Sequence, residues 1–130
     1  MVEQSPIFQK GVASSDSLLK IAIPIAGGSL CPHFGHCEQF AIAVVDPQTR
    51  TIQQLTYQTP PPHQPGILPE WLRQQGVHVV IVGGIGQRAV AFLQQSGIQV
   101  IIGAPSNPPE QIVQDYLAGT LQTGSNLCDH

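Results

Sequence analysis

Charge is scarce in this sequence. Charged residues make up 10% of the chain, against roughly a quarter in an ordinary soluble domain, and the formal net charge is −3. The five Lys and Arg residues stand singly at positions 10, 20, 50, 73 and 88. A nucleic-acid partner needs a clustered basic footprint to neutralise phosphates, so none is expected. No apolar run approaches the roughly 18 residues that span a bilayer, so no membrane partner is expected either. Residues 1–17 carry Glu3, Lys10 and Asp16 without an unbroken apolar stretch, unlike a secretory signal, and the protein is read as cytoplasmic. Cysteines number three, and an odd count without secretion favours thiols or thiolate ligands over a disulfide framework. Carboxylates do not gather either. Asp16, Asp46 and Asp115 fall in a leader, a turn and a helix, whereas two-metal phosphodiester chemistry needs converging acids. The expectation is a protein that is not an enzyme.

What remains is apolar and regularly patterned. Hydrophobic residues are 42% of 130, enough for one domain that buries roughly two-thirds of its unfolded surface. Residues 1–18 show no period and read as a flexible leader. Ile21 to Ala26 is a short apolar strand whose Pro24 favours a strand end or irregularity. Phe40 to Val45 and Thr51 to Tyr57 flank the turn Asp46-Pro47-Gln48-Thr49-Arg50 and read as a hairpin. Ile67, Leu68, Trp71 and Leu72 form a helical stripe stopped by Gly76. Val77 to Val82 is a β-branched strand. Gln87 to Gln95 is a helix with Ala89, Val90 and Leu93 on one face. Ile98 to Ile102 is the last strand, and Pro109 to Leu117 is a helix closed by Gly119. Apolar strands alternating with helices predict strands covered on both faces, a three-layer α/β/α sandwich with a mixed sheet. The domain is expected over 19–119, with a C-terminal tail at 120–130.

The chemistry concentrates in the loop Cys31-Pro32-His33-Phe34-Gly35-His36-Cys37, where four soft or borderline donors lie within seven residues. Thiolate and imidazole select zinc, copper(I) or iron–sulfur species over magnesium or calcium. The loop follows a strand, where ligands of open α/β sheets bind. The spacing is no zinc-finger pattern and specifies no metal. The competing reading makes Cys31 or Cys37 a packed small hydrophobe and one histidine a loop hydrogen-bonder. Cys128-Asp129-His130 ends the chain, either as an unstructured tail or folded back with a further thiol and imidazole. His63 sits in the stiff loop Pro61-Pro62-His63-Gln64-Pro65-Gly66. His78, beside Val77 and Val79, reads as structural. Val82-Gly83-Gly84-Ile85-Gly86-Gln87 is a strand, a glycine turn and a helix start, where Gly84 and Gly86 let a ligand approach the backbone and free N–H groups attract anions. Two functions draw on these donors: metallocluster binding, and a mononuclear zinc or copper site with a structural or regulatory role.

Taken in order, the His33-Phe34-Gly35 loop after a strand, Phe40 in the next strand, Val82-Gly83-Gly84-Ile85-Gly86 with Ala89, and Gly97-Ile98 resemble the dinitrogenase iron–molybdenum cofactor biosynthesis family. That family contains NifX, the NafY core and the C-terminal part of NifB. The resemblance covers Lys20 to about Gly119. Small relatives also look similar in Pro62-His63-x-x-Gly66 and in the Cys128-Asp129-His130 ending. It implies a ribonuclease H-like fold with a five-stranded mixed sheet, and binding or carriage of an iron–sulfur or iron–molybdenum cluster precursor. It points to nitrogen fixation and to a cluster-assembly or apo-target protein as partner. In that family the histidine of the His-Phe-Gly loop helps hold the cofactor, which here is His33. Donor chemistry extends the set to Cys31, His36, Cys37, His63, Cys128 and His130.

Overall fold

The computed structural model describes residues 18–62 and 66–124. Residues 1–17 of the expected leader, His63, and the tail residues Cys128 and His130 lie outside the described residues. Among the described residues six strands and three helices follow one another. β1 is Leu19–Ala26, β2 Ser29–Leu30, β3 Gln39–Asp46, β4 Thr51–Gln58, β5 Val79–Ile81 and β6 Gln99–Ile101. The helices are α1 (Ile67–Gln74), α2 (Gln87–Gln95) and α3 (Pro109–Ala118), and a 3₁₀ turn spans Phe34–His36.

The strands form one mixed sheet in the order β4-β3-β1-β5-β6, with β2 paired to β1. β1 is antiparallel to β3 and parallel to β5, which is parallel to β6. The expected hairpin is β3–β4. Asp46 closes its turn by accepting the N–H groups of Gln48 and Thr49 through Oδ1, the usual turn chemistry of aspartate.

Three expectations need correction. The sheet has six strands, not five, because Gly27 and Gly28 adopt φ of 63° and 84° and fold Ser29–Leu30 back onto Ile25–Ala26. Pro24 lies inside β1, paired with Phe40, rather than at its end. Ile25 O accepts from Glu38 N on the β3 side, so Pro24 turns its backbone the other way. There β5 is in register only with Ile21 and Ala22, so Pro24 faces Cys31, whose N–H its carbonyl accepts at 2.8 Å, and the missing N–H forgoes no bond to β5. β5 and β6 are also shorter than their apolar runs, since pairing with neighbours sets strand length.

Alternation along β1 divides the core. Ile21, Ile23 and Ile25 join Ala41, Ala43, Ile112 and Val113 in one cluster, so α3 covers that face. Ala22 joins Phe40, Ile42, Leu68, Leu72 and Leu93 in the other, under α1 and α2. The helical stripe is as expected: Leu68 and Leu72 are buried, and Ile67 and Trp71 pack against the same cluster. Strand directions bring four connections to one end of the sheet. They are the 31–37 loop, the segment leaving β4 after Gln58, the Gly83–Gly86 turn, and Gly103 after β6.

Candidate functional site

The 31–37 loop is held by its neighbours in space. Phe34 N donates to Gly84 O at 2.9 Å, and His33 and Gly84 form an isolated parallel bridge. The Phe34 ring is buried and meets Phe40 edge-on with centroids 5.8 Å apart. Phe40 in turn contacts Trp71 at 5.5 Å. Gly83 permits this approach. A Cβ there would lie 3.1 Å from Pro32 O and 3.3 Å from Leu30 Cδ2, tighter than most side-chain packing allows. The two stretches, fifty residues apart in the chain, therefore form one structure.

Anchoring Phe34 inside leaves its flanking histidines outside. His33 and His36 are exposed, and their rings stand 5.5 Å apart between centroids at an interplanar angle of 59°. His36 N donates to His33 O at 3.0 Å, so the 3₁₀ turn itself sets that spacing. Phe34 and Gly83 are the positioning residues that donor chemistry alone passes over. The available signal was a large aromatic between two histidines in an otherwise polar loop.

The two thiols are placed differently. Cys31 is buried, and its Sγ–H donates to His33 O at 3.2 Å, which ties the loop from within. Cys37 is half-buried and packs beside the Phe34–Phe40 cluster. Burial, with a smaller contribution from Cys31, pushes its thiol up to about 11. At neutral pH it holds its proton, and a metal would have to displace it. Among the described residues no three or more His, Cys, Asp or Glu side chains are grouped to hold a metal ion. Gly84 is buried at the His33 bridge, and Gly86 is exposed at the N-cap of α2. Such a start attracts anionic atoms.

The chain is similar to known proteins over nearly all of the described residues. The family described as "Dinitrogenase iron-molybdenum cofactor" matches residues 18–119. The uncharacterized protein MJ0580 of Methanocaldococcus jannaschii is 30% identical over 108 residues, which cover 81% of this chain and 91% of that protein. The crystal structure of PH0822 superposes with a TM-score of 0.75 at 22% identity, over 81% of this chain and 94% of its own. The apo form of the orange protein from Desulfovibrio gigas does so with a TM-score of 0.65 at 27% identity, over 82% and 93%.

Proposed function

This chain belongs to the dinitrogenase iron–molybdenum cofactor family, and from that membership we propose that it is a small non-catalytic carrier of a metallocluster. The cargo is an iron–sulfur cluster or an iron–molybdenum cofactor precursor. One observation carries the reading: two exposed imidazoles, 5.5 Å apart, stand on a loop pinned to a glycine turn at the carboxyl ends of parallel strands. That is where open α/β sheets present ligand sites.

His33 and His36 displace labile ligands on the cargo, and imidazole suits iron. The turn at Gly84 and Gly86 gives the cluster's anionic sulfides close access to backbone N–H groups. Cys31, Cys37, His63, Cys128 and His130 complete the proposed donor set. Cys31 and Cys37 bind only after losing protons, so loading through them releases acid and strengthens as pH rises. No helix among the described residues is long and apolar enough to cross a membrane. The carrier works in the cytoplasm between a cluster-assembly protein and an apo-target, in a three-layer fold of ribonuclease H-like kind.

Anaerobic reconstitution with ferrous iron and sulfide, with and without molybdate, tests the proposal. It predicts several iron atoms per chain, matching sulfide, and charge-transfer absorption in the visible. A chain that retains no cluster metal contradicts it. One divalent zinc or copper per chain without such a band replaces it by a mononuclear site.

A further inference from the structure

The stretch that leads into the His33 loop has little to hold it in itself. β2 is two residues long and pairs with β1 at Ile25 and Ala26. The turn before it is Gly27-Gly28, with φ of 63° and 84°, and glycine gives up more conformational freedom on ordering than any other residue. In a two-residue hairpin the ladder bonds fall to the residues flanking the turn. The turn's own N–H groups must find partners elsewhere.

Glu38 supplies one. Gly27 N donates to Glu38 Oε1 at 3.2 Å, and Glu38 N donates to Ile25 O at 2.8 Å. Ile25 is paired with Gln39 of β3 and with Leu30 of β2, so those strands lie on opposite sides of β1. The side chain of Glu38, one residue before β3, therefore reaches over the end of β1 and clasps the turn that opens β2.

What that turn delivers is the first residue of the loop. Cys31 N donates to Pro24 O at 2.8 Å, and the buried Cys31 Sγ–H reaches His33 O at 3.2 Å. The same oxygen accepts His36 N at 3.0 Å. His33 O is thus shared by the backbone of both exposed histidines, and β2 bears on it through Cys31.

We propose that Glu38 is a positioning residue of this site: its side chain clasps the Gly27–Gly28 turn and so fixes Cys31 beneath His33. Acting through the turn, it needs an acceptor oxygen there and not a negative charge. That the positioned imidazoles receive a metallocluster rests on the carrier reading above. The clasp itself does not, and its test needs no metal.

In a Cys37→Ala/Cys128→Ala background Cys31 is the sole thiol, and because it is buried its reaction with dithiobis(nitrobenzoate) reports opening of the segment. Glu38→Ala should speed that reaction about fivefold, the loss expected of one hydrogen bond. Glu38→Gln keeps an acceptor oxygen and should stay within about twofold of the parent. His78→Ala weakens the other end of the sheet without touching the turn, and should also stay within about twofold. An unchanged rate in Glu38→Ala overturns the proposal, as does an equal rise in Glu38→Gln or in His78→Ala. If the labelling behaves as stated while reconstitution leaves the wild-type chain without metal, the clasp stands and the carrier reading falls. If the wild-type chain loads and Glu38→Ala labels no faster, the carrier reading stands and the clasp falls.

Discussion

Histidines stand at both ends of this sheet, and the contrast separates structural from functional use better than exposure does. At the amino end of β5, His78 is exposed, yet its Nδ1 accepts the Lys20 backbone N–H at 3.0 Å. Its own N–H donates to Lys20 O at 2.8 Å, and Lys20 Nζ caps the carbonyl of Gln75 at the end of α1. The ring is part of how β1 meets β5. At the opposite end, His33 and His36 are also exposed, and bonds from Phe34 N to Gly84 O and from Cys31 to His33 O help hold their loop. At His78 the ring itself supplies one of the bonds that join β1 to β5.

The first way to break that contrast is to attack the framework of the loop. Gly83→Val should cost about 2–3 kcal/mol in denaturant unfolding, because its side chain must push back Pro32 and Leu30. Gly86→Ala, where an added Cβ meets nothing within 4 Å, should cost under about 1 kcal/mol. A Gly83→Val chain as stable as wild type would mean that the loop is not pinned.

A smaller effect comes from Cys37. Its folded thiol titrates near 11 instead of 9.0, so between those values the unfolded chain has given up a proton that the folded chain keeps. Stability is therefore full below pH 9 and falls as pH rises to 11. Two pKa steps correspond to about 2.7 kcal/mol, and partial exposure reduces this to about 1–2 kcal/mol. Unfolding curves at pH 8.5 and 11 should show that extra loss in wild type and lack it in Cys37→Ala.

Next comes His78→Ala, which removes an acceptor near solvent and should cost about 0.5–1 kcal/mol. Smallest of all, His36→Ala should alter stability by less than about 0.5 kcal/mol. A larger cost for His36 than for His78 would reverse the assignment of roles.

Much of this was legible in the residues. Strand runs such as Phe40 to Val45, the Asp46 turn and the Leu68–Leu72 stripe are local signals, and each became the element its period implied. Less legible was whatever depends on a distant partner. β2 exists only because Ile25–Ala26 accept it, although Gly27-Gly28 between apolar residues is a hairpin signal. The seven-residue loop was visible as a donor cluster, but not the inward anchoring of Phe34 that divides it into exposed imidazoles and thiols that are buried or half-buried. Glu38 carried no local motif at all, since its meaning comes from Gly27.

The most direct test is metal loading across the two ends of the sheet. After anaerobic reconstitution with ferrous iron and sulfide, His78→Ala should bind as much iron per chain as wild type, and His33→Ala/His36→Ala should bind at least tenfold less. Full iron and sulfide content in the double variant, with an unchanged visible spectrum, would contradict the account.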